Sequence, residues 1–402
     1  MADLDSFRSE TRSWLEANCP AEMRTPMRGE KDLCWGGRHF QFQSGAQKQW
    51  LDVMASRGWT VPDWPTEYGG GGLSPAEAKI LKEEMRSLGC RPPLTSFGIS
   101  MLGPALLKFG NEEQKKKYLT EIARGEIRWC QGYSEPGAGS DLAGLQTKAE
   151  DKGDHWLVNG SKIWTSGANL ADRCFCLVRT DSTKKHEGIS FLLIDMTAPG
   201  VEVRPIRLIN GTSPFCETFF TNVKVPKDQL FGPLNGGWTV AKRLLQFERD
   251  NISAGLGGGN IGQATALPTV VEAAKEYVGL DETGRVADRD LRRRVTEHLM
   301  ETRAFQMTVR RAADEARAGN GPSAATSIMK YAGAKIAQDR NELMVEALGQ
   351  QGLGWEGDGF SESDLSAMRT MLRSKANSIE GGTSEINLNI VSKRVLGLPD
   401  PK

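Results

Sequence analysis

The sequence predicts a mostly α-helical protein with a β domain in its middle third. Residues 1–127 carry helical periodicity with capping signals, and residues 128–234 consist of short β-rich runs separated by Gly, Asn, Asp and Pro. After Trp238 the helical period returns and persists to Leu396. We therefore expect three domains: an N-terminal helical domain at 1–127, a middle β domain at 128–234 and a C-terminal helical bundle at 235–402.

The N-terminal domain has clear helix start signals. Residues 1–19 alternate acidic and apolar side chains in the manner of an amphipathic helix. Ser74-Pro75-Ala76-Glu77 is a capping box with proline at the first helical position, which predicts a helix from residue 75. A further helix is predicted to begin near Asn111 and to end at Gly125.

The middle third reads as an antiparallel sheet or barrel, because its β-rich runs recur about every ten residues with no long helix between them. The runs are Trp156–Val158, Cys174–Val178, Ile189–Ile194, Val201–Val203 and Glu217–Val225, the last of which is ended by Pro226.

Composition excludes several classes of protein. Lys and Arg number 51 and Asp and Glu number 51, so the net charge of zero argues against nucleic acid as the main partner. The seven cysteines form no C-x-x-C pair and the four histidines are scattered, so neither a disulfide scaffold nor a metal site is expected. The first 19 residues lack the features of a signal peptide, and the longest apolar run, Ile189–Met196, is far shorter than the ~20 residues of a membrane span. We expect a cytoplasmic protein without a membrane span.

Gly257–Gly262 fits the G-x-G-x-x-G spacing of dinucleotide-binding proteins. That fingerprint has meaning only after a strand and at the start of a helix, whereas here it lies in the all-helical third. We interpret these glycines as a site of close helix packing and reject a nicotinamide-binding domain.

Two polar segments of the β domain have the composition of a ligand site. Tyr133–Asp141 is a glycine-rich turn with hydroxyl side chains, which suits either a flat cofactor ring and a phosphate or a tight surface loop. Asn159–Ala168 follows some thirty residues later and carries Trp164, which is either a core residue or a plate against a ring.

Together with other segments, these two resemble the acyl-CoA dehydrogenase family. The matching segments, in chain order over nearly the whole chain, are Tyr133–Asp141, Gly160–Ala168 followed by Ala171-Asp172, Gly188–Phe191, Gly236–Trp238 and Glu380–Ile386. The resemblance implies the family's fold of helical domain, β domain and C-terminal four-helix bundle. It also implies FAD, oxidation of an acyl-CoA thioester to its 2,3-enoyl form, and transfer of electrons to an electron-transfer flavoprotein.

The resemblance also assigns residues by motif position. Ser140 is expected near the thioester arm of CoA as well as in the flavin site. The residues implied for FAD are Tyr133, Ser134, Gly139, Ser140, Trp164, Thr165, Ser166, Gly349, Gly352, Thr383 and Glu385.

The catalytic base has two candidates. Most family members place it in a Tyr-Glu-Gly-Thr pattern, but here glycine occupies the Glu position and Glu380 lies one residue early. A second family arrangement matches Glu248-Arg249. Glu248 lies on the apolar stripe of its helix, and its neighbours at three and four positions either way, Leu244, Leu245, Asn251 and Ile252, include no cation. We predict Glu248 as the base, with Glu380 as the alternative and Arg249 as an orienting or CoA-contacting cation.

The assembly is left open by the sequence. The family's Arg-x-x-Phe-Gly segment is missing from residues 276–294, as in large subunits of bacterial heteromeric members in which a partner chain completes the flavin site. Arg285 or Arg289 would instead serve a homo-oligomeric interface, in a dimer or tetramer. Two alternative functions remain: a flavin oxidase of the same fold, and a supporting subunit. Gly255 and Gly257–Gly259 suggest a wide acyl pocket, while the acyl chain itself is not determined.

Overall fold

The computed structural model describes residues 3–27, 30–244, 269–318 and 326–399. The chain divides into two compact units. The first contains Met1–Ile206 and Ser213–Phe247, and the second contains Arg207–Thr212 and Glu248–Lys402. The three-domain boundaries expected from the sequence remain a prediction.

The N-terminal segment of the first unit is helical, as predicted. Its helices are α1 (Leu4–Asn18), α2 (Gly45–Ser56), α3 (Pro75–Ser87), α4 (Gly103–Phe109), α5 (Glu112–Gln114) and α6 (Thr120–Ala123). Both arms of the predicted capping box at the start of α3 are formed, because Ser74 accepts from the Glu77 N–H and Glu77 accepts from the Ser74 N–H. Asn111 begins α5 with a second capping box, and Gly125 follows α6 at φ +67°, so both predicted limits are confirmed.

The β segment forms one sheet of seven strands. They are β1 (Trp129–Gly132), β2 (Lys148–Asp151), β3 (His155–Ser166), β4 (Arg173–Arg179), β5 (Ile189–Asp195), β6 (Val201–Ile206) and β7 (Phe215–Pro226). The order across the sheet is β1-β4-β2-β3-β7-β6, with β5 paired to β4. Each of the five predicted β-rich runs lies within one of these strands.

The sheet is mixed, which corrects the expectation of an antiparallel one. Strand β1 pairs with β4 in parallel, and β2 meets β4 in parallel at Lys148 and Arg179. The other pairings are antiparallel. Parallel pairing needs a long crossover, and the chain supplies one between β1 and β4 that includes the whole of β2 and β3. Strands β1 and β2 have only four residues each, and neither is among the five predicted β-rich runs.

Side chains of β4 and β5 alternate between two buried faces of the sheet. Phe175, Leu177 and Phe191 belong to a core shared with Leu102 and Tyr118 of the N-terminal helical segment. A second core on the other face includes Cys174, Cys176, Val178, Leu192 and Ile194. Because both faces are covered, β4 and β5 form a rigid support for the loops at their ends. Helix α7, which covers residues 237–244, packs Val240, Ala241 and Leu244 into the first of these cores.

The second unit is helical. Its described helices are α8 (Val270–Ala273), α9 (Arg289–Arg317), α10 (Thr326–Leu348), α11 (Glu362–Ser374) and α12 (Ser384–Ile390). Leu291, Val295, Leu343 and Leu348 form part of the core between α9 and α10. The short segment Arg207–Thr212 belongs to this unit, where Arg369 donates to the Asn210 and Trp355 carbonyls at 3.1 and 2.8 Å.

Candidate active site

The turn that follows β1 presents open backbone. The Glu135 and Ala138 amides and carbonyls bond reciprocally at 3.1 and 3.0 Å, which closes the turn. Gly137 and Gly139 have no heavy atom within 4 Å of the position that a Cβ would occupy. Ser140 is exposed beside them. The predicted residues Gly139 and Ser140 therefore lie on a part of the turn that a ligand can approach closely.

Tyr133 anchors the start of this turn. It is buried, and its ring meets Phe175 and Phe191 edge-on, with ring centroids 6.2 and 6.1 Å away. The next residue, Ser134, is half-buried, and its carbonyl accepts a hydrogen bond of 2.9 Å from the Ile163 N–H of β3. The structure thus brings the two polar segments together: Ser134 lies directly beside the residue that precedes Trp164.

A buried ion pair holds the turn to β3. Lys162 is completely buried, and its Nζ donates to Glu135 Oε1 at 2.8 Å and to the Tyr133 carbonyl at 3.1 Å. The Glu135 carboxylate also accepts from the backbone N–H groups of Gln146 and Thr147 at 2.6 and 2.8 Å. Burial on its own would raise the pKa of Glu135, but Lys162 and these hydrogen bonds outweigh it, and the pKa is lowered.

Sequence reasoning did not identify this pair. Glu135 and Lys162 lie 27 residues apart, so no local spacing connects them. Lys162 lies in the polar segment Asn159–Ala168, where a solvated lysine is expected, so no local signal in the sequence marked it as buried.

Trp164 projects from the sheet at a strained position. Its φ is +61°, which is rare for a residue with a side chain, and it lies in a β-bulge where the pairing of β3 with β7 shifts between Lys162 and Thr165. Its indole is 52% exposed and touches Phe215 edge-on, with ring centroids 6.0 Å apart. Trp164 is therefore not a core residue of the described chain, and its role as a plate against a ring remains a prediction.

Both sides of the bulge are anchored. Lys162 is held by its ion pair before Trp164, and Thr165 is fully buried after it. The Thr165 hydroxyl lies 2.7 Å from the Cys216 carbonyl and 2.8 Å from the Thr218 hydroxyl, so it is engaged within the sheet. Ser166 is half-buried at the end of β3. Of the predicted ring contacts, Ser134, Trp164 and Ser166 therefore have side chains that are at least partly exposed.

Asp172 holds the backbone of residues 38 and 128, and the sequence predicted no role for it. It is fully buried, and its Oδ2 accepts from the backbone N–H groups of Arg38 and Arg128 at 3.1 and 2.7 Å. The Arg128 guanidinium lies over the Trp35 ring at 4.9 Å and beside Gly167, and burial lowers its pKa. A side chain at residue 167 would displace this cation.

The second unit carries the other predicted cofactor residues. Gly349 has φ +55° and begins a short 3-10 turn after α10, and a Cβ on Gly352 would lie 2.3 Å from the Val345 carbonyl. Thr383 begins α12 by accepting from the Ile386 N–H at 3.2 Å, while Glu385 is exposed in the first turn. These residues shape the ends of two helices, and their role toward FAD remains a prediction.

The structure describes only one of the two candidate bases, Glu380. Glu380 is exposed, and its carboxylate forms a 2.7 Å ion pair with Arg373. Glu248 and Arg249, like Gly255 and Gly257–Gly262, lie outside the described residues. Ala241 and Leu244, which precede Glu248 by seven and four positions, are completely buried in α7.

Two further observations concern the described part of the chain. It contains no group of three or more His, Cys, Asp or Glu side chains arranged to hold a metal ion. None of its helices combines the length and the apolar character that crossing a membrane requires.

Comparisons with known proteins agree with this architecture. Family models for the N-terminal, middle and C-terminal domains of acyl-CoA dehydrogenases match residues 3–126, 130–223 and 235–396. The chain is 36% identical over 401 residues to the acyl-CoA dehydrogenase IpdE1 of Mycobacterium tuberculosis, and the alignment covers 99% of each chain.

Solved structures show the same fold. The structure of the Tcur3481-Tcur3483 steroid ACAD is 30% identical with a TM-score of 0.76, covering 100% of this chain and 99% of that one. The ChsE4-ChsE5 complex from Mycobacterium tuberculosis is 28% identical with a TM-score of 0.74 and the same coverage.

The chain belongs to the acyl-CoA dehydrogenase family. It is an oxidoreductase that acts on a CH–CH group, and its cofactor is FAD. The described site fits such a cofactor, because it combines an aromatic plate that the backbone holds exposed, half-buried hydroxyls beside it and an open glycine turn.

The buried ion pair makes a first testable prediction. Lys162→Met leaves the Glu135 carboxylate buried without its cation, so the free energy of unfolding should fall by about 3–5 kcal/mol. Urea unfolding followed by tryptophan fluorescence measures the change. Lys148→Met is the matched control, since it breaks an exposed pair with Glu150 in the same sheet and should cost at most about 1 kcal/mol. Equal losses in the two variants would contradict the role given to Lys162.

The same pair predicts a pH dependence. Because the pKa of Glu135 is lowered in the folded protein, its stabilisation is complete above the unfolded value, about 4.3, and is lost as pH falls through the folded value. Below about pH 4.5 the wild type should therefore lose stability more steeply than Glu135→Gln, which has no carboxylate to protonate at this position.

Proposed function

We propose that the protein catalyses the α,β-dehydrogenation of an acyl-CoA thioester to the trans-2-enoyl-CoA and passes the electrons to an electron-transfer flavoprotein. The observation that carries this proposal is the exposed indole of Trp164, held at φ +61° beside Ser134 by a buried ion pair. Such an arrangement supplies one face and one polar edge for a flat ring. Full-length similarity to an acyl-CoA dehydrogenase supports the reaction class.

The chemistry requires a base, because the proton next to a thioester carbonyl is only weakly acidic. We propose that a carboxylate oxygen of Glu248 takes this proton, and that Arg249 orients the base or contacts CoA. FAD held at this site would supply the acceptor for the hydride that leaves the neighbouring carbon. Ser134, Trp164 and Ser166 would hold the ring in place, and backbone N–H groups would stabilise the charge that develops on the carbonyl oxygen.

The exposure of Glu380 and the apolar sequence around Glu248 favour Glu248 as the base. Water reaches Glu380, and Arg373 already holds its carboxylate, whereas a base for carbon acids works best in a dry site. Ala241 and Leu244 are buried, and Glu248 follows them in the sequence by seven and four positions, which is helical spacing.

Substitution of the two carboxylates distinguishes them. In Glu248→Gln, reduction of bound FAD by substrate should slow by at least about a hundredfold, because the general base is removed while the side chain keeps its volume. Anaerobic mixing, followed by the loss of flavin absorbance, measures this step, and the absorbance before mixing shows that FAD is bound. Glu380→Gln is the matched control and should reduce at a near-normal rate. The reverse result would assign the base to Glu380.

For the substrate, we propose a bulky acyl chain, branched or ring-bearing. Gly255 and Gly257–Gly259 follow Glu248 closely in sequence and remove side-chain volume there. A structure 30% identical to this chain is described as a steroid ACAD, which supports the same class of substrate.

A panel of CoA thioesters tests the reaction and the substrate class together. With an artificial electron acceptor, kcat/KM should be highest for ring-bearing or long branched chains, because a wide pocket leaves a short chain with few contacts. A peak at four carbons with a steady fall at greater length would contradict the wide pocket. Peroxide formed in air without the acceptor should be a small fraction of turnover, and stoichiometric peroxide would instead identify the oxidase alternative.

For the assembly, we propose a heterotetramer with a related subunit. The ChsE4-ChsE5 structure, by its description a complex of two chains, supports this arrangement. Three consecutive arginines of α9 form ion pairs within the described chain. Arg292 pairs with Asp281 at 3.0 Å, Arg293 with Glu297 at 2.8 Å and Arg294 with Glu346 at 2.6 Å. These three cations thus have intramolecular partners in the described residues.

Co-expression tests the assembly. Purified alone, the chain should contain little FAD, and co-expression with a related acyl-CoA dehydrogenase chain of the same organism should give a yellow complex with the mass of two copies of each. Light scattering and flavin content measure both properties. A yellow homo-oligomer from the chain alone would contradict the heterotetramer. Loss of its FAD in Arg285→Ala or Arg289→Ala would then assign the interface to these exposed arginines, which form no ion pair in the described residues.

A further inference from the structure

Arg179 is a buried cation in the described β segment that is held entirely by backbone carbonyls. It is the last residue of β4 and is 8% exposed. Its guanidinium donates to Ala143 O at 2.6 Å, to Leu145 O at 3.3 Å, and to Lys184 O and Lys185 O at 2.8 Å each. Among the residues that the structure describes, no carboxylate pairs with it.

The four carbonyls come from two loops. We call residues 141–145, which follow Ser140 directly, loop A, and residues 180–188, which connect β4 and β5, loop B. A buried guanidinium needs several hydrogen bonds to offset the loss of hydration, so both loops must keep their carbonyls directed at Arg179. Arg179 therefore fixes the distance between loop A and loop B.

Other contacts support the same geometry. Lys185 of loop B forms a 2.9 Å ion pair with Asp141 of loop A. The base of loop B is closed where the Thr180 and Asp181 N–H groups donate to the Gly188 carbonyl at 2.9 and 3.1 Å. A Cβ on Gly188 would lie 1.9 Å from the Asp181 carbonyl, so only glycine allows this closure.

The loops present recognition groups outward. Because the Lys184 and Lys185 carbonyls face Arg179, loop B exposes the side chains of Lys184, Lys185 and His186. Lys184 forms no ion pair within the described residues, and the His186 ring lies 4.9 Å from Trp238. Loop A begins next to the exposed Ser140 hydroxyl. The two loops that Arg179 connects thus present an exposed hydroxyl beside loop A and an exposed cation on loop B.

We infer that Arg179 is a positioning residue for the CoA part of the substrate: it holds loop A and loop B so that Ser140 and Lys184 engage one CoA molecule together. This inference rests on the proposed function, because it assumes that the substrate carries CoA. Lys184 supplies a cation for a phosphate of CoA, and Ser140 supplies a hydroxyl for its amide-bearing arm.

Loss of Arg179 should affect CoA binding more than folding. The four carbonyls are neutral groups of loop A and loop B, so loss of the guanidinium strands no charge among these four partners. In Arg179→Lys the single ammonium has three donors and cannot reach all four carbonyls, so the charge remains while the connection between the loops is weakened.

The test uses the FAD-loaded enzyme and two probes. Free CoA is titrated calorimetrically, and the N-acetylcysteamine thioester of the best acyl group from the panel, which lacks the phosphates, is assayed for turnover. Arg179→Lys should weaken CoA binding by about tenfold, equivalent to the loss of one or two hydrogen bonds. Turnover of the truncated thioester should stay within about twofold of wild type, since it has no phosphate for Lys184 to bind.

A second, milder variant separates an effect on CoA binding from a folding defect. Lys185→Gln removes the exposed pair with Asp141 and should weaken CoA binding by about threefold. Lys148→Gln, which breaks an exposed pair on β2, is the control and should bind CoA as wild type does. The inference is overturned if Arg179→Lys binds CoA normally or loses equally with both probes. If Arg179→Lys is insoluble, normal CoA binding by Lys185→Gln overturns it.

The two proposals fail in different ways. A wild-type enzyme that neither binds free CoA nor oxidises either thioester would refute the proposed function itself. A wild-type enzyme that does both, with a CoA affinity insensitive to Arg179 and Lys185, would refute only the positioning role.

Discussion

The ion pair between Lys162 and Glu135 is the interaction on which the geometry of the β-domain site depends. It connects the turn after β1 with the middle of β3 and places the Ser134 carbonyl within reach of the Ile163 N–H. Bringing two charges into a protein interior is costly, and the pair offsets that cost only because the carboxylate accepts two backbone N–H groups as well. Such a pair contributes little net stability but strongly disfavours other arrangements of the same two segments.

Strain at Trp164 is a consequence of this constraint. A left-handed conformation costs about 1–2 kcal/mol for a residue with a Cβ, and it persists only where the surroundings impose it. Here Lys162 is fixed on one side, and Thr165 is fixed on the other by its bonds to Cys216 and Thr218. Trp164 thus lies between two residues whose side chains are fixed, and its indole is directed outward. An aromatic face that is exposed before any ligand arrives needs little rearrangement to receive one.

The sequence predicted the features that depend on local chemistry. The capping box at Ser74 and the β-rich runs were visible because propensity and spacing determine them. The parallel pairing of β1 with β4 was not visible, since it depends on a crossover of some forty residues. The partnership of Glu135 with Lys162 is equally non-local. Trp164 was identified as a candidate plate, but only the bulge in β3 explains why it is exposed.

The glycines of the matching family segments are required for two different reasons. From the sequence, the glycine-rich turn Tyr133–Asp141 is a candidate ligand site. Gly137 and Gly139 fit that interpretation, because open space surrounds them. Gly188 and Gly237 do not, since a Cβ there would lie 1.9 and 2.5 Å from neighbouring backbone atoms. Two of the family's motif glycines are thus required by packing, and similarity alone does not separate such residues from ligand contacts.

The two buried cations of the β segment also differ in what their loss would leave behind. Removing Lys162 strands a carboxylate in the interior, which is a cost to the fold as a whole. Removing Arg179 leaves neutral carbonyls as its former partners, so the cost falls on the two loops that it joins. Lys162, which is paired with a carboxylate, therefore determines whether the site forms. Arg179, which is bound by carbonyls, determines the distance between loop A and loop B. A substitution at Arg179 can therefore change substrate affinity without breaking the ion pair of Lys162.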